Sequence, residues 1–312
     1  MKIVFMGTPD IAKGVLETLI DSEHDVVAVV TQPDKPNSRG NGIVLSPVKE
    51  LALEAGIPVL QPEKASAEDF VLKLKSLNPD IIVVVAFGQI LRKNVLEIAK
   101  YGCVNVHASL LPKYRGASPI QWAVINGEKE TGITIMQMDS GIDTGDIILT
   151  EKLELSADET AGSLFERLTC IAGPVLLKAL KQIENGTAVR TPQDEEDATY
   201  VSMLKKSMGR INFHHRAEEL ERLIRGLIPW PGAYTFVSGK MLKIWKACIA
   251  SEDEDIEAAP GQIRIVDNAL FIGTEDRPLE LLEVQLEGKK RMPAYDFLRG
   301  TVIEDGTLTD NS

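Results

Sequence analysis

The stretch IIVVVAFGQIL, residues 81–91, begins with five β-branched apolar side chains in succession. A strand with one wet face alternates apolar and polar residues, whereas a strand covered by helices on both faces is apolar throughout. Residues 81–86 therefore read as an inner strand of a parallel sheet. Working outward, residues 3–6 form a shorter apolar run closed by Gly7, and Ile11, Val15, Leu16 and Leu19 then share one face of a helix over 11–20. A strand over 26–31, a polar loop, a helix over 47–55, a brief strand at Val59 and a helix over 67–77 lead back to the quoted run. Residues 104–106 and 134–138 continue the sheet. Strands and helices in alternation predict an α/β fold with a doubly wound parallel sheet.

The texture changes near residue 184. Gly186, Pro192 and the acidic run 194–197 make a solvated connector with little apolar content. The chain is thus divided into a first domain over 1–188, a linker over 189–207 and a second domain over 208–312. Past an amphipathic helix over 217–225 and the turn residues Pro229, Pro231 and Gly232, the second domain reads as short strands at 233–237, 242–247, 261–266, 270–273 and 279–285. Short strands divided by turns predict a small barrel or sandwich.

A chain of 312 residues is long enough for two domains with sizeable cores. Its formal net charge of -12 gives no general positive field, so any polyanion it holds must meet local basic patches. Cys103, Cys170 and Cys248 are far apart and in no metal-ligand spacing, which suits free thiols in a reducing cytoplasm. His24, His214 and His215 have no Cys or acidic partner at a ligand interval, so no metal is expected. The first residues enter a strand pattern at once and the longest apolar run, 81–87, is too short to cross a bilayer. Neither a leader nor a membrane partner is expected.

The remaining histidine, His107, follows Asn105 by two positions where the strand over 104–106 gives out. In open parallel sheets the ligand crevice lies beyond the carboxyl ends of the strands, and a period of two turns both side chains the same way. An amide donor and an imidazole aimed together suit a carbonyl that becomes a tetrahedral oxyanion, because preformed dipoles need no reorganisation. Asp143, in the glycine-rich turn MDSGIDTGD after the next strand, is expected at the same edge, where it can orient His107. Asp139 and Asp146 have an equal claim on spacing. The plain alternative is that Asn105 and His107 are turn-formers or satisfied polar groups. Cys103, on the same face, is a rival nucleophile that nothing in the sequence activates. A glycine after the first strand also raises a dinucleotide-dependent oxidoreductase, but the G-x-G-x-x-G fingerprint is absent. MGTPD reads instead as a tight turn in which Thr8 or Asp10 caps the next helix.

Asn105, His107, SLLP at 109–112, YRGASPIQWA from Tyr114 and GITIMQMDSGIDTGDI from Gly132 together resemble the folate-dependent formyltransferases. MGTPD, SPVKELA from Ser46, AFGQIL from Ala86 and IRGLIPWPGAYT from Ile224 extend the resemblance over nearly the whole chain, nearest to the branch that acts on aminoacylated tRNA. It implies a Rossmann-like catalytic domain, a smaller OB-like β-barrel domain that holds tRNA, and a monomer. It also implies 10-formyltetrahydrofolate as donor and the α-amine of methionine on initiator tRNA as acceptor. Asn105, His107 and Asp143 match the family's catalytic residues. The folate slot is expected along Phe87, Gly88, Gln89 and Ile90, along Ser109, Leu110, Leu111 and Pro112, and along the loop that starts at Asp139. A formyltransferase for a small amine, an amino-sugar or ribonucleotide, is the nearest alternative. A non-enzymatic nucleic-acid-binding protein built on the second domain is a further one.

A tRNA is a polyanion, so an acidic protein needs clustered cations to hold it. The loop PDKPNSRGNGIVLSP over 33–47 carries Lys35 and Arg39 and resembles the family's inserted loop, whose arginine before glycine reaches the acceptor end. Where relatives often carry lysines after that glycine, this chain has Asn41, Gly42 and Ile43. Lys205, Lys206 and Arg210 form a second cluster, and Lys113 with Arg115 a third, although charge runs are usually solvated faces. Residues 209–312 hold 13 Lys and Arg against 18 Asp and Glu, so a binding face there must be a local patch. Trp230 and Tyr234 are expected to be structural.

Overall fold

In a computed structural model of the chain, residues 1–36, 43–251 and 256–309 are described, which leaves Arg39 outside them. The chain divides into two units. The first comprises Met1–Pro119, Glu130–Glu154 and Phe165–Val201; the second comprises Ile120–Lys129, Leu155–Leu164 and Ser202–Ser312.

The chain opens with β1 (Lys2–Gly7), α1 (Asp10–Ile20), β2 (Asp25–Val30), the short β3 (Lys35–Pro36) and β4 (Ile43–Val44), and α2 (Pro47–Glu54). Next come β5 (Val59–Leu60), α3 (Glu68–Leu77), β6 (Ile81–Val85), α4 (Lys93–Leu96), β7 (Cys103–His107) and β8 (Arg115–Gly116). Then follow α5 (Pro119–Ile125), β9 (Glu130–Gln137), β10 (Ile147–Glu154), α6 (Ala161–Glu184) and β11 (Tyr200–Val201). Seven strands form one sheet in the order β10-β9-β7-β6-β1-β2-β5. From β5 to β7 every pairing is parallel, and all of β6 is buried, as its unbroken apolar run requires. Val4, Met6, Val30, Leu74, Ile82 and Val84 share one core.

Residues 134–138 do not continue the parallel pattern. β9 runs antiparallel to β7, with Asn105 opposite Met136 and His107 opposite Thr134, and β10 runs antiparallel to β9. Apolar pattern fixes which residues a strand buries; its direction depends on where the chain re-enters the sheet. β9 therefore ends beside the start of β7, where Met138 N–H reaches the Cys103 carbonyl at 2.8 Å. The loop over 139–146 has to run back along β7 to bring Asp143 to Asn105.

The turn after β1 also differs from expectation. Pro9 is the N-cap of α1 and no side chain caps it. Thr8 Oγ1 instead donates to the Phe87 carbonyl and accepts from Gln32 N–H, both at 3.4 Å. A Cβ on Gly7 would lie 2.6 Å from Ala12 Cβ, so close packing of helix on strand requires the glycine. At α2 the hydroxyl of Ser46 accepts from Lys49 N–H at 3.1 Å, with Pro47 in the first turn. Ser46→Ala is expected to lower stability by about 1 kcal/mol, read from the urea unfolding midpoint.

In the second unit α7 (Ala217–Gly226) precedes β12 (Ala233–Val237), β13 (Lys240–Ile249), β14 (Ile263–Val266), β15 (Ala269–Ile272), β16 (Leu279–Leu286), β17 (Met292–Pro293) and α8 (Ala294–Gly300). The strands form an antiparallel sheet in the order β12-β13-β16-β15-β14, with β17 on β16. Inward residues alternate along it, and Leu220 and Ile224 of α7 join Leu242, Ile244, Leu281 and Val284 in one core. Trp122 and Ile125 of α5 pack against the same core. Asp276 accepts from Ala217 N–H at 2.7 Å, so a distant loop supplies the cap that Arg216 cannot. Among the described residues no helix is long and apolar enough to cross a membrane.

Candidate active site

Asn105 and His107 lie at the carboxyl end of β7, and both side chains meet one carboxylate. Asn105 Nδ2 donates to Asp143 Oδ1 at 3.3 Å. His107 Nδ1 lies 3.7 Å from Asp143 Oδ2, which also accepts from Gly116 N–H at 2.8 Å. The other ring nitrogen, Nε2, is 2.9 Å from the Tyr114 carbonyl. A carbonyl only accepts, so Nε2 carries a proton and Nδ1 is the ring nitrogen that faces Asp143. His107 is 6% exposed, so a charge that develops against this group is poorly screened by water.

Two of the rivals, Asp139 and Cys103, are placed in other surroundings. Asp139 Oδ1 turns into its own loop, accepting from Gly141 N–H at 3.0 Å and Thr144 Oγ1 at 2.7 Å. Burial pushes the Cys103 thiol up to about 12, so it stays protonated in the core. Asp143 has φ 56, and Ala86, Tyr114 and Ser118 share its left-handed backbone. Each such residue costs about 1–3 kcal/mol and persists only where its neighbours fix it. Thr134 on β9 is fully buried. Its Oγ1 donates to the Ser109 carbonyl at 2.7 Å and accepts from Leu111 N–H at 3.2 Å, holding the SLLP segment against β9.

Arg115 and the acidic connector overturn two expectations. Arg115 is 0% exposed and cannot offer its charge to a phosphate. Its guanidinium donates to both Glu195 oxygens at 2.8 and 2.9 Å, to Tyr200 Oη at 2.7 Å and to Gln193 Oε1 at 3.0 Å. The bond to Glu195 raises the proton affinity of Arg115, and Arg115 in turn holds Glu195 below the usual carboxylate range. The connector is therefore not a free spacer. β11 pairs in parallel with β8, with Arg115 N–H on the Thr199 carbonyl at 2.8 Å and Ala117 N–H on the Val201 carbonyl at 3.1 Å. A Cβ on Gly116, at φ 101, would lie 2.5 Å from the Val201 carbonyl oxygen. Gly116→Ala is expected to part β11 from β8 and to cost about 1–3 kcal/mol in urea unfolding.

The segments expected to line a folate slot split into frame and surface. Phe87, Ser109 and Leu111 are buried and belong to the frame. Ser109 Oγ donates to the Lys113 carbonyl at 2.7 Å. Gln89 is committed at both ends, accepting from Ala65 N–H at 2.8 Å and donating to the Pro62 carbonyl at 3.2 Å. Gln32 Nε2 donates to the Phe87 carbonyl at 3.0 Å, a brace the sequence did not reveal. Leu110 and Pro112 are half-buried, and Ile90 is 75% exposed. Gly88 is exposed with φ 82, and a Cβ there would meet only the Gln32 side chain.

Of the expected phosphate contacts, Lys113 is exposed in the first unit and Lys205, Lys206 and Arg210 are exposed in the second. Arg210 lies over the Phe236 ring, 5.7 Å from its centre. Tyr234 meets Phe236 edge to face at 5.8 Å, a packing role. Lys35 begins β3, but its side chain, like Arg39, falls outside the description. Among the described residues no group of three or more His, Cys, Asp or Glu side chains could hold a metal ion.

Residues 1–180 match the formyl transferase family, and residues 203–302 match the formyl transferase C-terminal domain. The chain is 54% identical over 312 residues to the methionyl-tRNA formyltransferase of Lachnospira eligens, covering 99% of each chain. It is 51% identical over 309 residues to that of Agathobacter rectalis, again covering 99% of each. Among solved structures, an N-formyltransferase from Helicobacter canadensis in complex with folinic acid and dTDP-3-aminofucose has a TM-score of 0.67 at 22% identity, with 90% of this chain and 98% of that one covered. The last likeness is one of fold.

Proposed function

The chain belongs to the formyl transferase family, and on that premise we propose that it transfers the formyl group of 10-formyltetrahydrofolate to the α-amine of methionine esterified to initiator tRNA. The observation that carries the chemistry is the meeting of Asn105, His107 and Asp143 at the end of β7. Near-full-length identity to methionyl-tRNA formyltransferases, through both units, favours this acceptor over a small amine. The reaction belongs in the cytoplasm, where aminoacylated tRNA is used.

A folate fits the residues present. At Gly88 the exposed main chain has only the Gln32 side chain near the position of a Cβ, and Ile90 offers an exposed aliphatic surface. A flat heterocycle needs such an apolar slot with a few main-chain partners. Gly88, Ile90, Leu110 and the loop from Asp139 would hold the donor, which supplies the activated formyl group.

As the amine attacks the formyl carbon, negative charge gathers on the formyl oxygen. Asn105 Nδ2 donates one N–H to Asp143 and directs the other at that oxygen, while His107, protonated on both ring nitrogens, donates the second bond from Nδ1. Asp143 aims both groups and stands where a proton leaving the amine can be passed toward the departing folate nitrogen. The domain over 1–188 performs this chemistry. That over 208–312 holds tRNA through Lys205, Lys206 and Arg210, with Lys113, Lys35 and Arg39 contributing from the first domain.

The test offers the full chain three acceptors with 10-formyltetrahydrofolate: initiator Met-tRNA, a nucleotide-linked amino-sugar and glycinamide ribonucleotide. Formyl transfer to Met-tRNA alone is the expected result. Transfer to either small amine in preference to Met-tRNA contradicts the acceptor and leaves the chemistry standing.

A further inference from the structure

We infer that the connector between residues 191 and 201 is a working part of the active site, with Gln193 and Arg115 as positioning residues that hold Asp143 in its left-handed conformation. This rests on the proposed role of Asp143 as the carboxylate that aims Asn105 and His107.

The argument follows the bonds inward from solvent. Glu195, its side chain 70% exposed, grips the guanidinium of Arg115 with both oxygens, and Tyr200 Oη accepts from Nη1 of the same group. Arg115 Nε then donates to Gln193 Oε1, which fixes the amide so that its Nε2 points the other way. Gln193 Nε2 donates to two carbonyls of the loop that carries Asp143: Asp143 O at 2.9 Å and Gly145 O at 2.7 Å. Both acceptors are carbonyls and the third partner is a donor, so only this amide orientation satisfies all three bonds. A second line reaches the same residue from β8, where Gly116 N–H donates to Asp143 Oδ2. The connector is tied at its other end as well, with Thr191 and Ile147 exchanging main-chain bonds at 2.8 and 2.9 Å.

Asp143 is thus held at its main chain by Gln193 and at its side chain by Gly116 and Asn105. A left-handed aspartate in a glycine-rich loop needs such restraint, because the bonds that Asp139 makes to Gly141 and Thr144 within the loop do not hold Asp143 itself. A plain spacer would need none of these bonds. It would also not require a fully buried arginine, whose burial is costly unless every donor is paired.

The experiment measures kcat and KM for both substrates in the full chain with Gln193→Ala, alone and in an Asp143→Asn background, with thermal melts alongside. Gln193→Ala is expected to lower kcat about ten- to a hundredfold, since a displacement of about 1 Å at a reacting group has effects of this size, with little change in either KM. In the Asp143→Asn background it is expected to add almost nothing, because the residue it positions is already disabled. A full additional loss in that background, or wild-type kcat in the single variant, overturns the inference. Wild-type turnover by Asp143→Asn itself is a different failure and removes the underlying role of Asp143. If Gln193→Ala does not fold, Glu195→Gln at the exposed end of the chain of bonds is used. A severalfold fall in kcat at unchanged KM supports the inference, and an unchanged kcat contradicts it.

Discussion

Asp143→Asn is expected to lower kcat about 10²- to 10⁴-fold, the range that a positioned proton-handling group supplies. The carboxylate accepts from Asn105 Nδ2 with one oxygen and from Gly116 N–H with the other. An asparagine carries an NH2 group at one of those two positions, so in either orientation a donor faces a donor. It also removes the negative charge 3.7 Å from His107 Nδ1. Size and backbone preference barely change, since asparagine tolerates φ 56 as aspartate does. The lost bond should lower the melting temperature modestly, by the equivalent of about 1–3 kcal/mol, and the loss should appear chiefly in turnover. Steady-state kinetics beside a melting curve check it, and turnover within tenfold of the parent protein contradicts it.

Asn105→Ala comes next, with an expected fall of about a hundred- to a thousandfold in kcat, as for removal of one oxyanion donor elsewhere. Asn105 is half-buried on β7 opposite Met136, so alanine keeps the strand register while deleting the amide. KM for Met-tRNA should hold steady, because the amide contributes chiefly once charge has developed on the formyl oxygen. A loss confined to KM would make Asn105 a binding residue instead.

Much of the frame is legible in the sequence. The unbroken apolar run at β6, the helical spacing over α1 and α3, and the short strands of the second unit lie where pattern placed them, because burial on two faces, one face or alternate faces leaves a direct mark on composition. Direction leaves none, and β9 was expected to run parallel when it runs antiparallel. β10 and α6 are obscured in the sequence for different reasons. β10 is an edge strand in which only Ile148 is buried, so Thr150, Glu151 and Lys152 interrupt its apolar pattern, and α6 carries Pro174 in mid-helix.

The candidate active site shows the same division. Spacing aims Asn105 and His107 together, and the resemblance singles out Asp143, 38 positions from Asn105. Contact was not legible. Arg115 counts as a surface cation in any reading by charge, yet it is enclosed by a glutamate 80 positions away. The acidic connector has the composition of a spacer and is held instead by side-chain charge and a two-residue ladder. Such pairings are decided by the fold that brings the segments together, and single residues do not announce them.

The measurement that bears most directly on the account is the single-turnover rate of formyl transfer to initiator Met-tRNA in Asn105→Ala, Asp143→Asn and the double variant. If Asn105, His107 and Asp143 act as one unit, the double variant should be scarcely slower than the slower single variant. Penalties that multiply in full would mean that the two residues act independently, and the bond between them would then have no part in the chemistry.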